Sequence, residues 1–159
     1  MHFAAKRSII VPAPNGYFLY CITTVMIVKK ISAREGLFSM LTNYHTHTTR
    51  CGHAEGTEEE YILTALRCGY KVLGFSDHTP WAYATPGFVS HIRMLPAQLD
   101  DYVLTLRSLR EKYADRLHLH IGLEAEYFPA YLGWLKEETE RLGIEYLILG
   151  CHYDTTDEQ

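Results

Sequence analysis

The chain has 159 residues, of which 47% are hydrophobic and 21% charged, and its formal net charge is -4. This composition is typical of a globular domain with its own core, and it excludes an intrinsically disordered chain. The negative charge argues against nucleic acid as the main partner, because proteins that bind nucleic acid usually carry a basic face. The four cysteines include no C-x-x-C pair, so they predict neither a disulfide framework nor a zinc ribbon. A reducing cytoplasm is therefore the expected compartment.

The first 39 residues differ from the rest of the sequence. Pro12 and Pro14 interrupt regular structure, and the apolar run 17–28 is too short to cross a bilayer as a helix. No small-residue cleavage site follows this run, which disfavours a secretory signal peptide. We predict an N-terminal extension with no share in the fold over residues 1–39, a single domain over residues 40–159, and no membrane partner.

Strands and helices alternate from Met40 onward. A capping box formed by Thr57 and Glu60 predicts the start of the first helix, and Gly69 predicts its end. Pro96 opens the second helix, and a third helix follows Pro129 and ends at Gly143. The predicted strands cover residues 41–45, 72–76, 117–124 and 146–151. Repeated units of this kind predict a parallel α/β sheet.

The third predicted strand separates apolar from polar side chains. One face carries Leu117, Leu119, Ile121 and Leu123, and the other carries His118, His120, Gly122 and Glu124. Apolar side chains that face covering helices, with polar ones facing an interior, are typical of an α/β barrel. In such barrels the active site lies at the carboxyl ends of the strands. We expect the two strand histidines to lie deeper, at the barrel floor.

Candidate metal ligands follow each predicted strand. In His45-Thr46-His47, two imidazoles at positions i and i+2 point to the same side of an extended segment, where they can bind one ion. A lone His-x-His pair is a weak signal, but four further motifs strengthen it. These are Cys51-Gly52-His53, Ser76-Asp77-His78, Gly122-Leu123-Glu124 and Gly150-Cys151-His152. Their convergence predicts a divalent metal site.

Together, in this order and spacing, these motifs resemble the PHP family, named for polymerase and histidinol phosphatase, and most closely its histidinol-phosphatase members. The resemblance runs from Met40 to the end of the chain. It implies a distorted barrel of seven βα units that is similar to a TIM barrel. It also implies two or three bound divalent ions, zinc, manganese or iron, and hydrolysis of phosphate esters.

The resemblance also implies a role for each ligand. His45 and His47 would bind the first metal, Glu124 would bridge the first and second, His152 would bind the second, and His53 and His78 would bind the third. The predicted catalytic residues are Asp77 and Glu124, with Asp77 orienting His78 or another ligand, or lying near the leaving oxygen. Arg50 and Arg93 follow strands on the same side and are candidates to bind the substrate phosphate.

Other polar and aromatic residues near these motifs have weaker assignments. Asn43 and Glu126 are expected to support the ligands rather than to bind metal. Trp81, Tyr83 and Phe88 are expected to pack a loop over the site, and the alternative is an aromatic wall for an imidazole-bearing substrate.

The sequence departs from the family pattern at its carboxyl end. The pattern continues with a further His after His152 and a final Asp-x-His, and the chain reaches Gln159 without either. We therefore expect about four of the seven βα units and one missing ligand at each metal.

Three functions remain open from the sequence. The first is hydrolysis of L-histidinol phosphate to L-histidinol and phosphate, in histidine biosynthesis. The second is another phosphoesterase activity of the family, such as that of an exonuclease or a protein-tyrosine phosphatase. The third is a truncated, non-catalytic remnant that binds metal poorly. The net charge does not favour the exonuclease.

Overall fold

The computed structural model describes the backbone of residues 10–13, 17–22 and 25–27, and backbone and side chains of residues 42–52, 54–153 and 155–158. The first three strands, β1 (Ile10–Ala13), β2 (Tyr17–Ile22) and β3 (Val25–Ile27), form an antiparallel sheet of their own. Among the described residues, no strand of this sheet pairs with the second sheet. The domain boundary at residue 39 stays a prediction.

The second sheet is parallel, and its strands lie side by side in chain order. Its strands are β4 (Thr42–Asn43), β5 (Val72–His78), β6 (His118–Ala125) and β7 (Tyr146–Leu149). The connecting helices are α1 (Glu58–Arg67), α2 (Leu99–Lys112) and α3 (Leu132–Leu142). Strands in sequential order with a helix in each crossover form a curled half-barrel, which confirms the predicted α/β barrel class.

The helix ends largely follow the predicted signals. Thr57 and Glu60 form the capping box, with the Thr57 side chain accepting from the Glu60 amide at 3.2 Å. The last residue of the first helix is Arg67, and Gly69 ends it as predicted: Gly69 has a φ of 83°, and its amide and that of Tyr70 bond the carbonyls of Leu66 and Ala65. Pro96 and Pro129 each begin a 3-10 turn that leads into α2 or α3, because proline fits a first turn that needs no amide donor.

The two faces of β6 differ as the alternation predicts. Leu119, Ile121 and Leu123 are buried, and they belong to one core with Tyr102 and Leu106 of α2. The opposite face carries Glu124 near the carboxyl end, while His118 near the amino end is exposed. Apolar burial against the helices therefore fixes which side chains of β6 point into the half-barrel.

The aromatic ring of Tyr146 occupies this inner face between β5 and β6. A Cβ atom at Gly74 or Gly122 would overlap the ring, so both positions need glycine for the ring to lie there. The Tyr146 hydroxyl lies 2.7 Å from the Tyr44 carbonyl oxygen and 2.9 Å from that of Phe75. One residue at the start of β7 therefore contacts the segment after β4 and the middle of β5.

Among the residues that the structure describes, none of the helices has both the length and the apolar character of a membrane span.

Candidate metal centre

The segment that follows β4 places His45 and His47 side by side. The strand ends at Asn43, earlier than predicted, because the Asn43 side chain, rather than a neighbouring strand, accepts the hydrogen bond from the backbone amide two residues later. The side-chain carbonyl of Asn43 accepts from the His45 amide at 2.9 Å, and its side-chain amide donates to the Thr46 hydroxyl at 3.0 Å. The Thr46 carbonyl accepts from the Ser76 amide at 2.8 Å. Held in this way, the Nε2 atoms of His45 and His47 lie 3.0 Å apart.

Glu124 lies at the centre of four imidazoles. Its Oε2 atom is 3.0 Å from His45 Nε2, 3.2 Å from His47 Nε2 and 3.4 Å from His78 Nδ1. Its Oε1 atom is 3.4 Å from His152 Nε2. The structure thus brings together five of the six predicted ligands, drawn from the ends of all four parallel strands. His53, the sixth, lies outside the described residues.

The protonation states in this cluster suit metal binding. Burial alone raises the pKa of Glu124, but hydrogen bonds with His45 and His47 and the proximity of His78 outweigh it, and the pKa falls well below its usual range. Burial lowers the pKa of His78 to about 3, despite the opposing charge of Glu124. Near neutral pH the cluster therefore holds a carboxylate and a neutral buried imidazole, the forms that bind metal.

Among the described residues, three sets of side chains could each hold a metal ion, because the donor atoms within each set lie within 4.8 Å of one another. The sets are His45, His47 and Glu124; His47, Cys51 and Asp77; and His78, Glu126 and His152. The first and third sets offer nitrogen and oxygen donors, which suit zinc, manganese or iron. A Cβ at Gly150 would lie 2.8 Å from His152 Cε1 and 3.1 Å from Glu124 Oε1, so a glycine is needed for these side chains to meet. The residues present therefore fit divalent ions.

Asp77 lies behind His47, on the side away from Glu124. It is fully buried and accepts from the Thr48 amide at 2.5 Å and from the Thr48 hydroxyl. Its Oδ1 atom lies 3.7 Å from His47 Nδ1. Burial raises the pKa of Asp77, although the bonds from Thr48 and the nearby His47 oppose the rise. A buried carboxylate behind an imidazole fixes the orientation of the ring.

Glu126 contacts His152 in a similar way. Glu126 Oε1 lies 3.0 Å from His152 Nδ1 and accepts from Arg93 Nη2 at 2.8 Å, and Trp81 Nε1 donates to Oε2 at 3.3 Å. With a proton on His152 Nδ1, the Nε2 lone pair faces Glu124. The expected supporting role of Glu126 agrees with this geometry, although its carboxylate is also close enough to bind an ion.

The two arginines that were candidates to bind phosphate are both engaged by carboxylates. Arg50 pairs with Glu58 and, at 2.7 Å, with Asp101, at the helix surface. Arg93 is buried between Glu126 and Asp157. Their contact with a substrate phosphate stays a prediction.

Two residues that position the site were missed in the sequence. Thr48 donates hydrogen bonds to Asp77 from both its backbone amide and its hydroxyl. Nothing in the sequence distinguishes it from the neighbouring threonines. Tyr146 had a detectable signal, since Gly122 lies two places beyond His120, the register partner of Gly74, and the two glycines on adjacent strands mark a space that a large side chain can fill.

The sequence pattern of the PHP domain matches residues 43–159. A Deinococcus radiodurans protein named "Probable histidinol-phosphatase" is 34% identical over 116 residues, which are 71% of this chain and 42% of that protein. A Schizosaccharomyces pombe protein of the same name is 29% identical over 115 residues, 69% of this chain and 38% of that protein. The chain thus spans less than half the length of these curated relatives.

Two solved structures share the fold. A candidate histidinol phosphatase from Listeria monocytogenes superposes with a TM-score of 0.59 at 24% identity, over 70% of this chain and 44% of that one. The histidinol phosphate phosphatase of Lactococcus lactis, solved with zinc, L-histidinol and phosphate, gives 0.57 at 18% identity, over 70% of this chain and 40% of that one. Because the domain pattern covers most of the sequence and the fold agrees, the chain belongs to the PHP-domain family.

Proposed function

We propose that this chain carries the metal-binding half of a phosphomonoesterase that hydrolyses L-histidinol phosphate to L-histidinol and phosphate. One observation carries the proposal: a buried carboxylate, Glu124, with four imidazole nitrogens within 3.4 Å. The names of the curated relatives and the zinc, L-histidinol and phosphate in the Lactococcus lactis protein support the substrate.

Each ligand has a proposed role. His45 and His47 would hold the first of two or three divalent ions, Glu124 would be shared by the first and second, and His152 would hold the second. His78 would share the third ion with His53. Such ions supply a water nucleophile at neutral pH and neutralise the phosphate oxygens. Zinc, manganese and iron all suit this mixture of nitrogen and oxygen ligands.

The residues behind the ligands keep them in place. Asp77 fixes the ring of His47 from the buried side, and Glu126 fixes His152. Burial of Glu124 strengthens its attraction for divalent cations, because its charge is less screened away from bulk water, and the cations would in turn offset the negative charge of the phosphate ester. Asp77 thus acts through His47 in this proposal.

The test compares Glu124→Gln with Glu137→Gln in a full-length form of the protein. Glu124→Gln keeps the shape but removes the bridging charge, so we expect bound metal to fall and turnover of L-histidinol phosphate to drop at least about a thousandfold. Glu137 is exposed on α3, and its substitution should change neither quantity. Metal analysis measures the bound metal, and phosphate release measures the turnover. Unchanged metal content and turnover in Glu124→Gln would refute the metal mechanism.

The substrate is tested separately from the metal site. L-histidinol phosphate, a single-stranded DNA end and a phosphotyrosine peptide are assayed side by side with the same preparation. Preference for the first by a large factor in kcat/KM supports the proposal. A preference for DNA or the peptide would instead assign the chain to another phosphoesterase activity.

A further inference from the structure

Three donors of the loop after β5 converge on one carboxylate near the carboxyl end of the chain. Asp157 Oδ2 accepts from Ser90 Oγ at 2.7 Å and from Arg93 Nε at 3.0 Å. Asp157 Oδ1 accepts from the Tyr83 hydroxyl. Donors from three residues of a single loop therefore surround an acidic side chain that lies 64 to 74 residues away in the sequence.

Arg93 is a built part of this site rather than a surface cation. Its side chain is 1% exposed, and its guanidinium lies 5.8 Å from the ring centroid of Phe128 and 5.9 Å from that of Tyr153. Its Nη2 atom donates to Glu126 Oε1 at 2.8 Å, so a second carboxylate fixes the guanidinium independently of Asp157. Its burial and its contact with Glu126 thus desolvate and orient the guanidinium without help from Asp157. A cation held in this way favours the binding of an anion.

The loop also leaves room beside these donors. A cavity of about 210 Å³ is lined by Tyr83, Ser90 and Arg93 together with apolar side chains such as Phe88 and Met94. A ligand with an oxyanion at one end and an apolar body would contact both the donors and the cavity wall.

We propose that Tyr83, Ser90 and Arg93 form a receptor for a small oxyanion, a carboxylate or a phosphate, which Asp157 occupies from within the chain. The tethered carboxylate competes with any external anion, because a short linker gives it an effective concentration in the millimolar range. The receptor lies next to the metal centre through Arg93, Glu126 and His152, but its donors are separate from the proposed metal ligands.

The test removes the internal ligand and titrates inorganic phosphate or acetate into the full chain by calorimetry. We expect Asp157→Ala to bind one more phosphate per chain than the unmodified protein. Any phosphate at the metal centre is common to both proteins and cancels in the comparison, so the result does not depend on the proposed phosphatase activity. Glu158→Ala is the matched control, because Glu158 contacts Thr85 and Tyr131 and leaves Asp157 in place.

Second substitutions locate the additional site. Adding Ser90→Ala or Tyr83→Phe to Asp157→Ala should weaken the new binding about tenfold, the loss expected for one hydrogen bond to a charged group. Asp157→Asn, which keeps the shape, should also admit phosphate if Asp157→Ala unfolds. Phosphate binding without acetate binding identifies a phosphate receptor, and the reverse identifies a carboxylate receptor. No additional anion in either Asp157 variant, or binding that ignores Ser90 and Tyr83, overturns the proposal.

Discussion

At the scale of single residues, buried carboxylates determine the chemistry of this site. Burial raises the pKa of both Asp77 and Glu124, but for Glu124 the hydrogen bonds with His45 and His47 and the proximity of His78 together outweigh it and lower the pKa. Asp77 contacts a neutral hydroxyl and an amide, whereas Glu124 is surrounded by imidazoles. The difference supports the proposed roles of Glu124 as a metal ligand and of Asp77 as a positioning residue for His47.

Substitution of Asp77 tests that assignment. In Asp77→Asn, the amide group cannot accept both bonds from Thr48 and carries no charge toward His47, so we expect zinc affinity to fall about 10- to 100-fold. The free energy of unfolding should fall by about 1–3 kcal/mol. Competition with a chelator and urea unfolding measure the two effects. The exposed Asp115→Asn is the control, and an unchanged zinc affinity in Asp77→Asn would contradict the role.

His78 makes the metal-free protein sensitive to acid. Its pKa falls from 6.5 to about 3 on folding, so between these values the unfolded chain binds a proton that the folded chain does not. Stability must then decrease as the pH falls from 6.5 toward 3, by up to about 1.4 kcal/mol per pH unit. The lowered pKa of Glu124 also makes stability decrease as the pH falls, and this decrease begins below the usual glutamate pKa of about 4.3.

Urea unfolding in a chelator between pH 7 and pH 4 measures this slope. His78→Gln should flatten it, because the variant has no imidazole to protonate at this position. The exposed His91→Gln should leave it unchanged. Equal slopes in the unmodified protein and His78→Gln would show that another group is responsible.

At the scale of elements, the two glycines on β5 and β6 and the tyrosine on β7 form one packing unit. Gly74 and Gly122 make room for Tyr146, and its hydroxyl contacts the backbone of Tyr44, the residue before His45. The position of the segment after β4, which carries His45 and His47, therefore depends on β7, the strand that lies farthest from β4 in the sheet.

Two substitutions separate the ring from the hydroxyl. Gly122→Ala forces a Cβ into the Tyr146 ring and should cost about 1–3 kcal/mol of unfolding free energy. Tyr146→Phe keeps the ring but loses the hydroxyl contact, and should cost about 0.5–1.5 kcal/mol and reduce bound metal. The exposed Tyr127→Phe should change neither stability nor metal content. Unchanged metal content in Tyr146→Phe would mean that the ligand segment is held without β7.

At the scale of the whole molecule, the metal centre joins the four parallel strands. His45 and His47 follow β4, His78 ends β5, Glu124 lies in β6 and His152 follows β7. A ligand that binds all four elements stabilises only the folded arrangement, because the unfolded chain does not bring these side chains together.

Zinc should therefore raise the urea midpoint of the full chain. A free zinc concentration 100 times the Kd should add about 2.7 kcal/mol to the free energy of unfolding, and excess chelator should reverse the gain. In His45→Ala the gain should shrink because the first metal loses a ligand. A midpoint that does not respond to zinc or chelator would exclude an intact metal centre in this chain.

Local signals in the sequence determined the elements and the candidate ligands. The capping box at Thr57, the alternation along β6 and the positions of histidines after apolar runs each depend on residues close in sequence, so they predicted the α/β barrel class and the ligand set. Which carboxylate supports which imidazole was decided only by tertiary structure. Asp77 contacts His47 rather than its sequence neighbour His78, because successive side chains of a strand point to opposite faces and only packing of β5 beside the segment after β4 decides what Asp77 meets. The contacts of Tyr146 and Asp157 were likewise decided by tertiary structure, because their partners lie 64 to 102 residues away.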